Sequence, residues 1–134
     1  GGDLALGGMV GGKRLGAEDL WIARLGPDGA TRWFRRLDTP RHQSPWGLAA
    51  APGGDVLVAA VRWFEADDAG DLSLLRLTPA GETRWERRFG GRYWDRPTGI
   101  LAVGDGMLVV GHTSSTGSGY EDAWLLRLDA GGKL

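Results

Sequence analysis

Asp19-Leu-Trp-Ile-Ala-Arg-Leu25 recurs as Asp71-Leu-Ser-Leu-Leu-Arg-Leu77 and again as Asp122-Ala-Trp-Leu-Leu-Arg-Leu128, at offsets of 52 and 51 residues. Each copy runs into a turn: Gly26-Pro-Asp-Gly29, Thr78-Pro-Ala-Gly81 and Asp129-Ala-Gly-Gly132. The first two copies continue as Thr31-Arg-Trp33 and Thr83-Arg-Trp85. Upstream, Leu4-Ala-Leu-Gly-Gly8, Val56-Leu-Val-Ala-Ala60 and Met107-Leu-Val-Val-Gly111 each begin 15 residues before the Asp that opens the copy. Three elements in one register, repeated at about 50 residues, mark a repeat architecture.

Every element is short, rich in Leu, Val, Ile and Trp, and bounded by Gly, Pro or Asp, which reads as strand; no window of roughly 10 to 12 residues carries the 3.6-residue period of a helix. One repeat supplies four strands, over 45–51, 55–62, 71–77 and 83–89. The expected fold is therefore all-β, a repeat of four-stranded antiparallel blades forming part of a β-propeller, with about 2.6 blades in this chain. The copies span 1–52, 53–103 and an incomplete 104–134 within one repeat domain. A β-solenoid or a duplicated sandwich is the alternative; solenoid coils are usually shorter, and a sandwich has no need of a Trp at one place in each outer strand.

Composition narrows the function classes. Sixteen basic against seventeen acidic residues leave a formal charge of −1, which offers no long-range attraction to nucleic acid or anionic lipid. With no cysteine, disulfides, thiolate metal sites and Cys nucleophiles drop out. Apolar stretches such as 47–51 and 100–103 fall far below the roughly 18 residues that span a bilayer as a helix. Opening on Gly1-Gly2-Asp3, the chain reads as a processed or excised segment. Its 24 glycines fall at turn-like places, as many tight turns require.

The third copy, Gly111-His-Thr-Ser-Ser-Thr-Gly-Ser-Gly-Tyr-Glu-Asp-Ala-Trp-Leu-Leu-Arg-Leu-Asp129, resembles the blade repeat of bacterial propellers from secreted and cell-surface proteins. Those repeats have Gly-x-Thr, a Ser/Gly loop, Asp-x-Trp, a Leu-Asp turn and a Trp-bearing outer strand. The resemblance covers nearly the whole chain and implies a binding module in an extracellular, periplasmic or surface setting. The first two copies depart from it, with Gly8-Met-Val-Gly-Gly12 and Ala60-Val-Arg-Trp-Phe64 in place of the Ser/Gly loop and Ser73 in place of Trp21 and Trp124.

Several motifs invite chemistry and have plainer readings. Arg interleaved with aromatics in Thr31-Arg-Trp-Phe-Arg-Arg36 and Thr83-Arg-Trp-Glu-Arg-Arg88 suits base stacking. It equally suits an outer strand whose Trp packs on a neighbouring blade and whose Arg side chains pair with acids such as Glu86. Asp67, Asp68 and Asp71, with Glu18, Asp19, Glu121 and Asp122, supply calcium-type oxygens but lack the Asp-x-Asp-x-Asp-Gly spacing; strand-opening Asp residues ordinarily bond turn backbone. His42 and His112 stand at non-equivalent places, and Ser114 and Ser115 lack a Gly-x-Ser-x-Gly elbow. Gly53-Gly54 and Gly104-Asp-Gly106 precede no helix that would make them phosphate loops. They read as hairpin turns.

Alternating strands put short uniform turns on one face and longer, variable loops on the other. Binding residues are carried on such loops, which nominates Arg41, His42, Trp63, Tyr93, Trp94, Asp95 and Tyr120. The function expected is a non-enzymatic binding or scaffold propeller with a protein or glycan partner, no cofactor, no metal, no nucleic-acid partner and no membrane insertion. It is completed either by remaining blades of a longer chain or by identical copies. A propeller enzyme whose catalytic residues lie partly outside this segment, and a lectin-like homo-oligomer, are the alternatives.

Overall fold

The computed structural model describes residues 2–11, 18–37, 42–63 and 69–134. These form ten strands: β1 (Leu4–Gly11), β2 (Glu18–Leu25), β3 (Thr31–Leu37), β4 (Gln43–Ala50), β5 (Val56–Trp63), β6 (Gly70–Leu77), β7 (Thr83–Phe89), β8 (Asp95–Val103), β9 (Gly106–Thr113) and β10 (Asp122–Leu128). All neighbouring pairs are antiparallel. They make three sheets in chain order, β1-β2-β3, β4-β5-β6-β7 and β8-β9-β10. The all-β expectation is met. The four-stranded unit is complete once among the described residues, in the middle sheet; the flanking sheets have three strands each.

The middle sheet is covered on both sides, which explains its composition. A strand with one solvated face alternates apolar and polar residues, whereas one buried on both reads as a continuous apolar run. Val56-Leu-Val-Ala-Ala-Val61 is such a run, and all six residues are buried. Val56, Val58 and Ala60, with Leu75 and Leu77, pack on Leu20 and Ile22 of the first sheet. Leu57, Ala59, Leu72 and Leu74 pack on Met107, Val109, Leu126 and Leu128 of the third. Residues one repeat apart therefore take equivalent places at successive junctions: Leu20 and Ile22 stand to the first as Leu72 and Leu74 stand to the second.

Polar stitches repeat at the same period. The Trp33 indole Nε1 donates to the Pro79 carbonyl at 2.7 Å, and that of Trp85 to the Ala130 carbonyl at 3.0 Å. Arg24 donates to the carbonyls of Gly54 at 2.8 Å and Pro79 at 3.4 Å; Arg76 does the same to Asp105 at 3.2 Å and Ala130 at 3.1 Å. Each sheet thus reaches the short turns of the next. Gly81 and Gly132 sit in those turns at φ +83° and +75°, and a Cβ on either would meet the ring of Trp33 or Trp85 at 2.8 and 3.0 Å. Glycine is needed there both for the left-handed backbone and for the indole above it.

Within the middle sheet, Asp55 is buried and accepts from Arg76 Nε at 2.7 Å and Arg84 Nε at 2.8 Å. Burial pushes its carboxyl up, but the hydrogen bonds from Arg84 and Arg76, with their charges, outweigh this and hold it below the usual range. Ser73, standing where the other copies have Trp, donates to Glu86 Oε1 at 3.0 Å. Glu86 is flanked by Arg62 and Arg88.

Trp33→Ala and Trp85→Ala should each lower stability by about 3 kcal/mol, the low end of large aromatic truncations because both rings are half-buried. Gly81→Ala should also destabilise, by at least about 1 kcal/mol, through its positive φ and the overlying ring. Urea unfolding of the purified variants measures both; a loss below about 1 kcal/mol for the Trp variants would show that the indoles do not clamp the sheets.

Candidate functional site

Aromatic residues gather at one end of the middle and third sheets. His42 and Trp63 are edge to face with ring centres 5.2 Å apart, and Trp63 and Trp94 likewise at 4.5 Å. Edge-to-face geometry at these separations is the favoured arrangement of aromatic quadrupoles. The ladder is pinned by backbone: Trp63 N–H donates to the His42 carbonyl at 3.1 Å, and, one repeat on, Ser114 N–H donates to the Trp94 carbonyl at 2.7 Å.

Beside the ladder opens a cavity of about 460 Å³ lined by Trp46, Val61, Trp63, Trp94, Arg96, Ser114, Tyr120 and Glu121. Trp46 reaches it through a bulge. Pro45 pairs with Ala60 and Gly47 with Ala59, leaving Trp46 as the extra residue, and a bulge of this kind re-aims a side chain out of the pleat. Half of Trp46 is exposed, its indole nitrogen held by Ser44 Oγ at 3.1 Å. Also lining the cavity, Arg96 Nη2 donates to Glu121 at 2.6 Å, which holds the Glu121 carboxyl below its usual range. A ligand here meets flat apolar rings and one ion pair.

Of the residues nominated from sequence, Trp63, Trp94 and Tyr120 line this cavity, and His42 backs Trp63. Tyr93 is exposed beside Arg92 and is not among the lining residues. Asp95 is fully buried and does not face the cavity: it accepts from Ser115 Oγ at 2.6 Å, from Gly91 N–H at 2.9 Å and from the Thr113 hydroxyl. It anchors the loops that carry the aromatic residues. Arg41 lies outside the described residues, as do Asp67 and Asp68. Trp46, Arg96, Glu121 and Ser114 were not nominated. Pro45 gives no clear signal for Trp46, since proline is tolerated at edge strands as well as at bulges and β4 is an edge strand.

The acidic residues at and just before β2, β6 and β10 have separate fates. Asp19 pairs with Arg36, Glu18 lies 3.5 Å from His42, and Asp122 accepts from Gly119 N–H at 3.2 Å. Asp71 has no such partner: its Oδ1 is buried without a hydrogen bond among the described residues. Burial first, and the Asp95 charge second, push its carboxyl up to about 6. No group of three or more His, Asp or Glu suited to a metal forms among the described residues.

A comparison of the sequence with protein-family models and with curated proteins finds no match.

Because the folded state holds the Asp71 proton at about 6 against 3.8 ordinarily, this group's contribution to stability is complete below pH 3.8 and is lost as pH rises through 6. Asp71→Asn, with no charge to bury, should melt higher than the parent at pH 7.5 and at the same temperature near pH 4. Thermal melts across that range check this; a difference independent of pH would show that the Asp71 carboxylate is already solvated.

Proposed function

We propose that the chain is part of a β-propeller, about 2.6 blades long, and acts as a non-enzymatic binding or scaffold module. Two observations support the propeller reading: three antiparallel sheets follow one another in chain order, and the side chains of successive repeats pack in the same register at both junctions. The observation that carries the binding reading is the aromatic cavity at the long-loop end. Several aromatic side chains around one ion pair suit the apolar face of a sugar ring or the side chains of a protein loop. The resemblance of the third repeat to blades of bacterial secreted and surface propellers supports the same reading and an extracellular, periplasmic or surface setting.

Two features weigh against the rival readings. A lectin with one sugar site per repeat needs equivalent loops, yet one repeat from Trp46 stands Thr98, and one repeat from Trp94 stands His42. For an enzyme the closest constellation is Asp71 with Asp95, and the latter is sealed from solvent and bonded to its own loop.

Intrinsic tryptophan fluorescence during titration with a panel of oligosaccharides and of extended peptides tests the proposal. A ligand should shift the emission, and Trp63→Ala or Tyr120→Ala should weaken it at least about tenfold, as expected for aromatic anchors. Trp21→Ala, at the far face of the first sheet, should leave it unchanged. Equal losses in all three variants would remove the cavity as the site.

A further inference from the structure

The aromatic cavity is lined from the middle and third sheets, and its rings are seated before any ligand arrives. A Cβ on Gly70 would lie 2.7 Å from Val61 and 3.1 Å from the Trp94 ring, so glycine there makes room for both. Trp94 thus packs against the start of β6 and stands at 86° to Trp63. Together the two indoles offer ring faces in two directions. Trp63 remains 37% exposed and Trp46 50%, and the Tyr120 side chain is exposed throughout. Rings already held in place lose little freedom on binding, and the water over them is what a ligand displaces.

The charged and hydroxyl groups of the lining are Arg96, Glu121, Ser114 and Tyr120. Arg96 and Glu121 are paired at 2.6 Å, with 43% and 41% of their side chains exposed, and His112 Nδ1 stands 3.9 Å from the same Glu121 oxygen. Arg96 Nε is buried and has no acceptor among the described residues. The pair cancels in charge, yet it offers N–H donors and carboxylate lone pairs side by side. A cationic ligand is opposed by the Arg96 guanidinium and an anionic one by Glu121. A wholly apolar ligand covers the rings but leaves the polar groups without partners, which is costly. An uncharged ring with C–H groups on one face and hydroxyls on adjacent carbons meets both demands. Its C–H groups suit the negative face of an indole, while one hydroxyl accepts from Arg96 and its neighbour donates to Glu121.

We infer that the Arg96–Glu121 pair sets the ligand class of this cavity, which takes a neutral sugar unit: its C–H face on an exposed indole, two adjacent hydroxyls on the pair, and the Tyr120 ring closing against it. This rests on the cavity being the binding site, as proposed above, and narrows its ligand from sugar or peptide to an uncharged glycan. The site is a single one. One repeat back, Arg96 and Glu121 are replaced by Ser44 and Gly70, which cannot form such a pair. Either member alone would leave a net charge among the rings, so the two together specify neutrality, and removing one should change which sugars are accepted.

Calorimetric titration at pH 8, where an imidazole is uncharged, tests this with neutral oligomers of glucose, galactose, mannose and N-acetylglucosamine, with oligogalacturonate, with oligomers of N-trimethylglucosamine and with extended peptides. At least one neutral oligomer should bind, about tenfold or more tightly than either charged sugar or any peptide. Arg96→Gln and Glu121→Gln, each checked for an unchanged circular dichroism spectrum, should both weaken it about tenfold or more. The two variants should then diverge: Glu121→Gln gains affinity for oligogalacturonate, Arg96→Gln gains affinity for the trimethylated oligomer, and the double variant gains neither. Equal losses for every ligand in both variants would show that the pair only holds its loop, and would overturn the inference. A charged sugar bound by the unaltered chain as tightly as the neutral ones does the same. Peptide binding that Trp63→Ala abolishes, with no neutral sugar bound, overturns the sugar class and leaves the cavity as the binding site. Binding of neither sugar nor peptide overturns both.

Discussion

Burial of both faces of a thin sheet is the constraint from which the other features follow. Four strands of seven or eight residues, as in the β4 to β7 sheet, enclose no core of their own, because a sheet is one side chain thick on each face. β5 and β6 gain their burial from neighbours: Val58 and Leu77 from the first sheet, Leu57 and Leu74 from the third. Such a unit is stable as a member of a stack, and its energetics are those of repeat proteins, in which each unit contacts the units beside it.

Apolar packing alone leaves sheets free to slide, since it is non-directional. Sliding is opposed by side chains that hydrogen-bond to backbone in the adjacent sheet. Arg24 and Trp33 both end on the Pro79 carbonyl, and Arg76 and Trp85 both end on the Ala130 carbonyl. The acceptor lies in the turn that Gly81 or Gly132 closes, so the turn serves its own hairpin and the sheet behind it. Each Arg also joins an Asp of its own sheet, Asp3 for Arg24 and Asp55 for Arg76. That pairing aims the guanidinium across the gap.

These dependencies account for what was legible in the sequence. The strands were, because Val56-Leu-Val-Ala-Ala-Val61 and its counterparts combine β-forming residues with glycine-bounded ends, and all four strands placed on the second repeat lie within two residues of their observed bounds. The clustering of Trp63, Trp94 and Tyr120 was legible in part, since alternation of strand direction sends their loops to one end. Trp46 was not: a bulge shifts the two-residue period by one, and a reading by alternation assigns the bulged side chain to the wrong environment. Asp95 looked like a loop residue available to a ligand. Its role depends on Thr113 and Ser115, 18 and 20 residues further on, a contact that local pattern does not carry.

The same division between repeated and unrepeated positions separates scaffold from site. Positions that recur in register, such as Leu20, Leu72, Arg24 and Arg76, lie at the junctions and hold the stack. Positions that break the repeat lie at the long-loop end: Trp46 against Thr98, His42 against Trp94, Tyr120 against Ala69. A repeat constrains a residue wherever its neighbour sheet demands the same shape, and frees it where the chain turns over into solvent. Between the second and third sheets the freed positions became aromatic, and their rings meet over strand ends that Asp95 and the His42 and Trp94 carbonyls hold in place. The cavity is thus built from the part of the repeat on which the fold makes the least demand, with the anchoring beneath it supplied by the part on which it makes the most.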